Sequence, residues 1–574
     1  MSEEHSHGMD RGRFLKLGAA AAATPTALTL ARAARAAPAP QLEEATIAQL
    51  QAQMTKGGLT SHSLVQMYLG RIDAIDRRGG LNSVLELNPD AQAIAKQLDA
   101  ERKAGHVRGP LHGIPVMLKG NIDTGDKMQI TAGSLALAGP PAPQDATVAQ
   151  KLRDAGAVIL GKTNLSEWAN FRSFQSSSGW SGQGGQTNNP YFLDRNPCGS
   201  SSGSAASVSA NLCAAGLGTE TDGSIVCPAT ICGTVGIKPT VGLTSRAGVV
   251  PISHTQDTIG PHGRTVADAA AILSAIASTT ADPRDPATAT TPNGGSRPGI
   301  PTDYTQFLDP NGLRGAKIGA LRGPVLTGYS PETDAVYDQA LDAMRAAGAT
   351  VVDPVALPDL EGDDGILASS AEIIVLIYEF KRDVAAYLAT RTGLSMHTLG
   401  DLIAFNNAHP DAELKWFGQE IFELADADPF SDADYAQALL DDRRLGGTDG
   451  IDAALADGGF DALVAPTGSP SWPTDLVNGD HFLGASSFPS AMAGYPIINV
   501  PAGNAFGLPV GLSFIASQFS EPLLIKLASG FEAATKARLV PQFQATLPSG
   551  NARPKGSAKH GGLPNRKLPA VANL

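Results

Sequence analysis

The chain has few aromatic residues (5%), four cysteines, and no apolar run of membrane-spanning length. Each shortage excludes something. A helix needs about 20 apolar residues to cross a bilayer, so no membrane span is expected. The formal charge is −13, with no basic patch outside the two ends, which argues against nucleic acid as a partner. Cys198, Cys213, Cys227 and Cys232 fit neither a zinc site nor a CxxC redox motif. Buried free thiols are expected, with a Cys227–Cys232 bridge as the pairing considered. No cluster of metal-ligand type occurs, so neither a metal nor a cofactor is expected. Few aromatics beside 63 glycines and 40 prolines favour a loop-rich α/β enzyme over a helical bundle.

What is present begins at the amino end. Arg11, Arg13 and Lys16 precede a mildly apolar run over 17–30, followed by an Ala/Arg segment. Basic region, short apolar region and small-residue cleavage site are the order of a secretory signal. Residues 1–36 are therefore expected to direct export, in a twin-arginine-like pattern with Gly12 where the second arginine would stand. Their removal takes away five basic and three acidic residues and leaves a net charge of −15. Residues 548–574 carry five basic and no acidic residues and read as a disordered tail.

Between the ends, helical spacing alternates with short apolar strands. Helices are expected over 43–69, with Thr60 and Ser61 capping a break, and over 89–105, 146–155, 266–276, 334–347 and 522–537. Strands are expected over 116–118, 158–164, 249–252, 315–321, 350–352, 462–467, 497–500 and 508–515. This alternation points to an α/β fold with a largely parallel sheet. Residues 173–196 read as loop, and 366–440 as mainly helical, an insertion able to cover a site.

The unusual stretch is 197–239, rich in Gly, Ser, Ala and Thr. Ser200 opens one Gly/Ser loop and Ser224 closes another; the small residues 204–217 between them read as a helix. Gly199-Ser200-Ser201-Ser202-Gly203 matches a G-x-S-x-G nucleophile elbow, but no buried strand precedes it, as that elbow requires. Ser224 is the better nucleophile. Gly223 permits a sharp turn, and the N–H groups of Thr221, Asp222 and Gly223 can serve as oxyanion donors. A serine needs a base, and no histidine stands in a motif. Lys119, delivered to the interior by an apolar strand between Pro115 and Gly120, can act in its neutral form, with Ser200 passing the proton between them.

These motifs resemble the amidase signature family over essentially the whole chain beyond the signal. Gly113-Ile114-Pro115 with Lys119 resembles the family's lysine segment, and Ser200 and Ser224 stand 24 residues apart as its two serines do. Residues 493–501 and 507–512 resemble its carboxyl-terminal hallmark. The segments 161–172 and 218–225 are most similar to the peptide amidase branch. The resemblance implies one large domain over 37–547, a central twisted mixed β-sheet covered by helices on both faces, and a helical cover near 360–445. It implies a Ser-Ser-Lys triad of Ser224, Ser200 and Lys119, with Ser200 on a cis peptide bond and Asn170 lining the acyl pocket. The implied reaction is hydrolysis of carboxamides through an acyl-enzyme, most closely of C-terminal peptide amides, by a monomer or homodimer. Aryl amides, esters, carbamates or lactam oligomers are the alternative substrates, and a non-catalytic binding protein is the alternative class. His262 departs from the branch at a position often apolar there.

Overall fold

Eleven strands drawn from most of the chain's length form one mixed sheet in the computed structural model, which describes residues 42–358, 360 and 365–548. The signal assigned to 1–36 lies outside the described residues, as does the basic tail from 549 onward. In chain order the strands are β1 (Val84–Leu87), β2 (Pro115–Lys119), β3 (Val158–Thr163), the short pair β4 (Trp180–Ser181) and β5 (Gly185–Gln186), β6 (Ala215–Glu220), β7 (Val235–Lys238), β8 (Thr258–Gly263), β9 (Lys317–Leu321), β10 (Thr350–Val355), β11 (Ala462–Pro466), β12 (Ile497–Ala505) and β13 (Leu508–Ile515). The large sheet runs β1-β3-β2-β6-β8-β7-β12-β13-β11-β9-β10, and β4 pairs with β5 in a separate two-stranded sheet.

The sheet is mixed, as the family resemblance implies, and not largely parallel as the αβ alternation alone suggests. Parallel pairing holds for β3-β2-β6 and for β11-β9-β10. The middle, from β6 through β8, β7, β12 and β13 to β11, is antiparallel throughout. At β8 the expectation and the structure part: a strand is expected over 249–252, and the strand is Thr258–Gly263. Its sequence, TIGPHG, has neither alternation nor a β-branched run, so pairing on both edges, not propensity, makes it a strand.

The helix expected over 204–217 is also corrected. It covers Ser202–Ser209, and Asn211 then takes a left-handed conformation (φ +57°) before β6 begins. Ala, Gly and Ser give no contrast between the helical and strand periods. The smallness that hides the strand is what lets β6 sit fully buried between β2 and β8.

Elsewhere local chemistry sets the boundaries. Thr46 and Thr60 close capping boxes ahead of Ile47–Thr55 and Ser61–Arg71, each accepting an N–H from the third helical residue. The main core joins those helices to β2, β3, β6, β9 and the terminal helix Glu521–Thr535. A second core belongs to the helices Ala371–Ala389, Leu399–Ala408 and Glu420–Asp426. There Phe380 meets Phe171 edge-on with ring centroids 5.0 Å apart, and Phe422 meets Trp168 in the same way at 5.5 Å. These contacts press the helices onto the segment that follows β3, and so onto the rim of the serine-rich loops. No described helix is long and apolar enough to cross a membrane.

Candidate active site

The sheet carries Lys119 to the carboxyl end of β2, where its side chain is completely buried. Nζ lies 2.7 Å from Ser200 Oγ, 2.8 Å from Thr219 Oγ1 and 3.2 Å from the Thr219 carbonyl oxygen. Burial holds the amine down to about 7, against the opposing charges of Asp257 and Glu220. A neutral amine has two N–H donors and one lone pair. Thr219 offers acceptors for both donors, which leaves the lone pair for the Ser200 hydroxyl.

Ser200 follows Gly199 through a cis peptide bond. Its carbonyl accepts the Ser166 N–H at 3.1 Å, and a side chain on Gly199 would collide with Ser166 Oγ. Ser201, the residue of the apparent elbow, has a different use. Its hydroxyl donates to the Thr219 carbonyl at 3.0 Å and accepts the Thr219 N–H at 3.2 Å, while its own N–H donates to the Ser224 carbonyl at 3.1 Å. Ser201 thereby fixes the two serine loops to each other and to β6.

Ser224 sits just below the surface, 6% exposed. Its hydroxyl contacts no protein donor or acceptor among the described residues, so Lys119 and Ser200 are in direct contact and Ser224 is not yet joined to them. Catalytic hydrogen bonds are often open in the absence of substrate. The turn ahead of Ser224 needs Gly223, at φ +75°. Among the described residues, the N–H groups of Thr221, Asp222 and Gly223 donate to no protein acceptor, and donors in that state are available to an oxyanion. The loop is pinned on both sides: Thr221 Oγ1 donates to Asp257 at 2.6 Å, and Glu220 accepts the N–H groups of Ile225 and Val226 at 2.6 and 2.9 Å. Asp257 also accepts the Ile252 and Ser253 N–H groups at 2.8 and 3.1 Å. Its burial raises the carboxyl to about 6 despite them.

A disulfide joins Cys198 to Cys227, and Cys213 and Cys232 are free and buried. This corrects the Cys227–Cys232 pairing and the expectation of free thiols at Cys198 and Cys227. Cys227 lies inside the short helix Val226–Ile231 and Cys232 caps its end, whereas Cys198 approaches from the other serine loop to a Cα separation of 6.0 Å. The bond lies two residues before Ser200 and three after Ser224.

Asn170 ends a 3-10 turn with φ +70° and donates to Ser178 Oγ at 2.9 Å; Ser176 donates to its Oδ1 at 3.2 Å. Ser178 in turn flanks Gly199, which places Asn170 one side chain away from the Gly199–Ser200 peptide. His262, on β8, is buried with neither ring nitrogen hydrogen-bonded among the described residues, and burial followed by the Lys119 charge hold it neutral, down to about 3. A side chain on Gly218 would strike His262 Nε2 at 2.8 Å and Ser201 Oγ at 2.6 Å, so His262 stands behind the serine loops and not in front of them. Among the described residues, His254, Glu379 and Asp383 are close enough to share a cation, but none of the three contacts Lys119, Ser200 or Ser224. Thr219, Asp257 and the Cys198–Cys227 bond are site features that sequence reasoning does not single out. Thr219 lies inside the conspicuous stretch, while Asp257 carries no local signal.

This geometry belongs to a fold with known relatives. The amidase family model matches residues 63–525. The chain is 43% identical to a protein of Arabidopsis thaliana described as "Probable amidase", over 88% of this chain and 92% of that one. Among solved structures, the native peptide amidase of Stenotrophomonas maltophilia superposes with a TM-score of 0.81 at 52% identity, covering 87% of this chain and 99% of that one. An amidase family protein of Bacillus anthracis superposes with a TM-score of 0.77 at 34% identity, covering 87% and 93%. The chain belongs to the amidase family, and its single large domain with an eleven-stranded mixed sheet flanked by helices is the fold of those structures.

Proposed function

We propose that this amidase hydrolyses carboxamides, C-terminal peptide amides in particular, through an acyl-enzyme on Ser224. The observation that carries the reading is the buried Lys119 amine, lowered to about 7 and 2.7 Å from the Ser200 hydroxyl. Ser224 Oγ attacks the amide carbon, its proton passing to Ser200 as the Ser200 proton passes to Lys119 Nζ. The negative charge formed on the carbonyl oxygen meets the N–H groups of Thr221, Asp222 and Gly223, each worth about 3–4 kcal/mol in such a role. The proton returns to the nitrogen as the C–N bond breaks, releasing ammonia and leaving the acyl ester. Water then attacks the ester through the same relay, releasing the carboxylic acid and restoring Ser224. Asn170 borders the acyl side through Ser178.

Likeness to a peptide amidase at 52% identity supports the substrate class. Ammonia release from a blocked dipeptide amide, set against an anilide and an ester of the same acyl group, tests it. The peptide amide is expected to be hydrolysed with the highest kcat/KM; a preference for the anilide or the ester would overturn the substrate assignment. Export directed by residues 1–36 belongs to the same proposal. A disulfide between the serine loops supports it, since such bonds persist in oxidising compartments. Amino-terminal sequencing of the protein from its native cell would show either a cleaved chain outside the cytosol or an intact one within it.

A further inference from the structure

Residues 252–257 form an irregular loop ahead of β8, and one helix of the cover, Ala371–Ala389, holds four successive residues of it. Ser253 Oγ donates to Glu379 Oε2 at 2.5 Å, and the Thr255 N–H and hydroxyl donate to the same oxygen at 3.1 Å each. The His254 N–H donates to Asp383 Oδ2 at 2.7 Å, one helical turn further on, and Gln256 Nε2 donates to Glu372 at 2.9 Å, two turns back. Spacings of seven and four put these three acids on one face of the helix. Glu379 is completely buried, and Tyr435, on the helix Asp432–Asp442, donates to its other oxygen at 2.7 Å. Both oxygens thereby meet donors from the protein, as burial of a carboxylate requires.

The far side of the loop meets the oxyanion turn. Asp257 Oδ2 accepts the Ser253 N–H, and Oδ1 accepts the Thr221 hydroxyl. The route from the cover to the turn is therefore Glu379, Ser253, Asp257, Thr221, with hydrogen bonds of 2.5, 3.1 and 2.6 Å. Phe380, the next residue of the helix, packs edge-on against Phe171, which follows Asn170. An apolar side chain at 379 would cover the loop without the cost of burying a carboxylate; what the carboxylate adds is direction. Direction matters here, because donors to a developing charge must be held within about 0.5 Å of their working place.

We propose that Glu379 is a positioning residue for the oxyanion donors: through Ser253 and Asp257 it fixes Thr221, and with it the N–H groups of 221–223. Its part is to accept hydrogen bonds, not to supply charge. The proposal rests on the reading of Ser224 as the nucleophile and of 221–223 as the oxyanion donors.

Two variants of the full chain separate acceptor from charge. Glu379→Leu removes the acceptor and keeps most of the volume. Glu379→Gln keeps an oxygen for Ser253 and Thr255 and turns its amide nitrogen to the Tyr435 hydroxyl, which can accept. Active sites are counted by fluorophosphonate labelling run to completion, so that any unfolded fraction drops out. With N-acetyl-phenylalaninamide, Glu379→Leu is expected to lower kcat at least about tenfold with KM within about twofold, and Glu379→Gln to stay within about threefold of the unaltered kcat. A peptide aldehyde, whose adduct on Ser224 places an oxyanion against these N–H groups, is expected to lose affinity in Glu379→Leu by the same factor as kcat/KM. If Glu379→Leu does not fold, Ser253→Ala is expected to lower kcat severalfold with KM unchanged. An unchanged kcat, a loss confined to KM, or equal losses in Glu379→Gln and Glu379→Leu would overturn the proposal. If the unaltered enzyme is labelled on Ser224 but leaves the amide intact, the amidase reading fails and the labelling rate decides: about tenfold slower in Glu379→Leu upholds the positioning role, and an equal rate overturns it. If all variants hydrolyse the amide alike, the positioning role fails and the amidase reading stands.

Discussion

If neutral Lys119 is the base, pH sets how much of the enzyme is competent. With the amine near 7, about a tenth is neutral at pH 6, half at pH 7 and about nine-tenths at pH 8. The value of kcat/KM is therefore expected to rise about tenfold per unit below pH 6, to bend near 7, and to level above 8. The assay is ammonia release from N-acetyl-phenylalaninamide, which has no group titrating in this range. Asp257 is the largest charge holding the lysine up. Asp257→Asn should therefore move the bend to lower pH, alongside any loss from loosening Thr221. Lys119→Ala should remove the bend together with most of the rate, on the order of 10⁴-fold or more. A profile flat from pH 5 to 9, or a bend that survives Lys119→Ala, would refute the reasoning. The same shift has a cost in stability. The lysine's folded value lies below its unfolded one of about 10.4, so the unfolded chain binds more protons between the two, and this group's contribution rises with pH across that window.

Three further outcomes are expected. Replacing Cys198 and Cys227 by serine opens a loop of 29-residue separation, which in the chain-entropy account costs about 3–4 kcal/mol; an unchanged denaturation midpoint would count against a stapling role. Arg172 is fully buried, pairs with Glu167 at 2.9 Å, donates to the Gly418 carbonyl at 3.0 Å, and stacks over Phe417. Arg172→Met should cost about 3–5 kcal/mol by leaving a buried carboxylate unpaired, and adding Glu167→Gln should recover part of it; urea titration of both variants decides. Asp442 titrates in the opposite sense to Lys119. Its carboxyl is raised to about 8, chiefly by burial, so the folded chain holds the proton longer and stability from this group falls between about pH 4 and 8. Asp442→Asn should therefore raise the melting temperature more at pH 9 than at pH 4; an equal shift at both would contradict the cause given.

Much of the site is legible in the sequence because its residues sit in short segments with their own signatures. Lys119 ends an apolar strand between a proline and a glycine, and Ser200 and Ser224 open and close glycine-rich turns. What is not legible depends on the sheet. β6 reads as helix because Ala-Gly-Leu-Gly-Thr carries no period, and β8 escapes notice because its pairing to β6 and β7 comes from distant sequence. Asp257, just ahead of β8, is lost with it, although it anchors Thr221. The disulfide is mispaired for the same reason: the partner of Cys227 arrives from the other loop, and only the three-dimensional closure of the two serine loops brings Cys198 near. The elbow-like pattern at Ser201 is resolved by neighbours, since the sequence shows a serine between glycines while the structure shows its hydroxyl committed to the Thr219 backbone.

The central claim is that Ser224, not Ser200 or Ser201, becomes acylated. Incubation with a fluorophosphonate, followed by peptide mass mapping, tests it directly. The account predicts one adduct, on the peptide containing Ser224, absent from Ser224→Ala and slowed in Lys119→Ala. An adduct on Ser200 or Ser201, or undiminished labelling of Ser224→Ala, would contradict it.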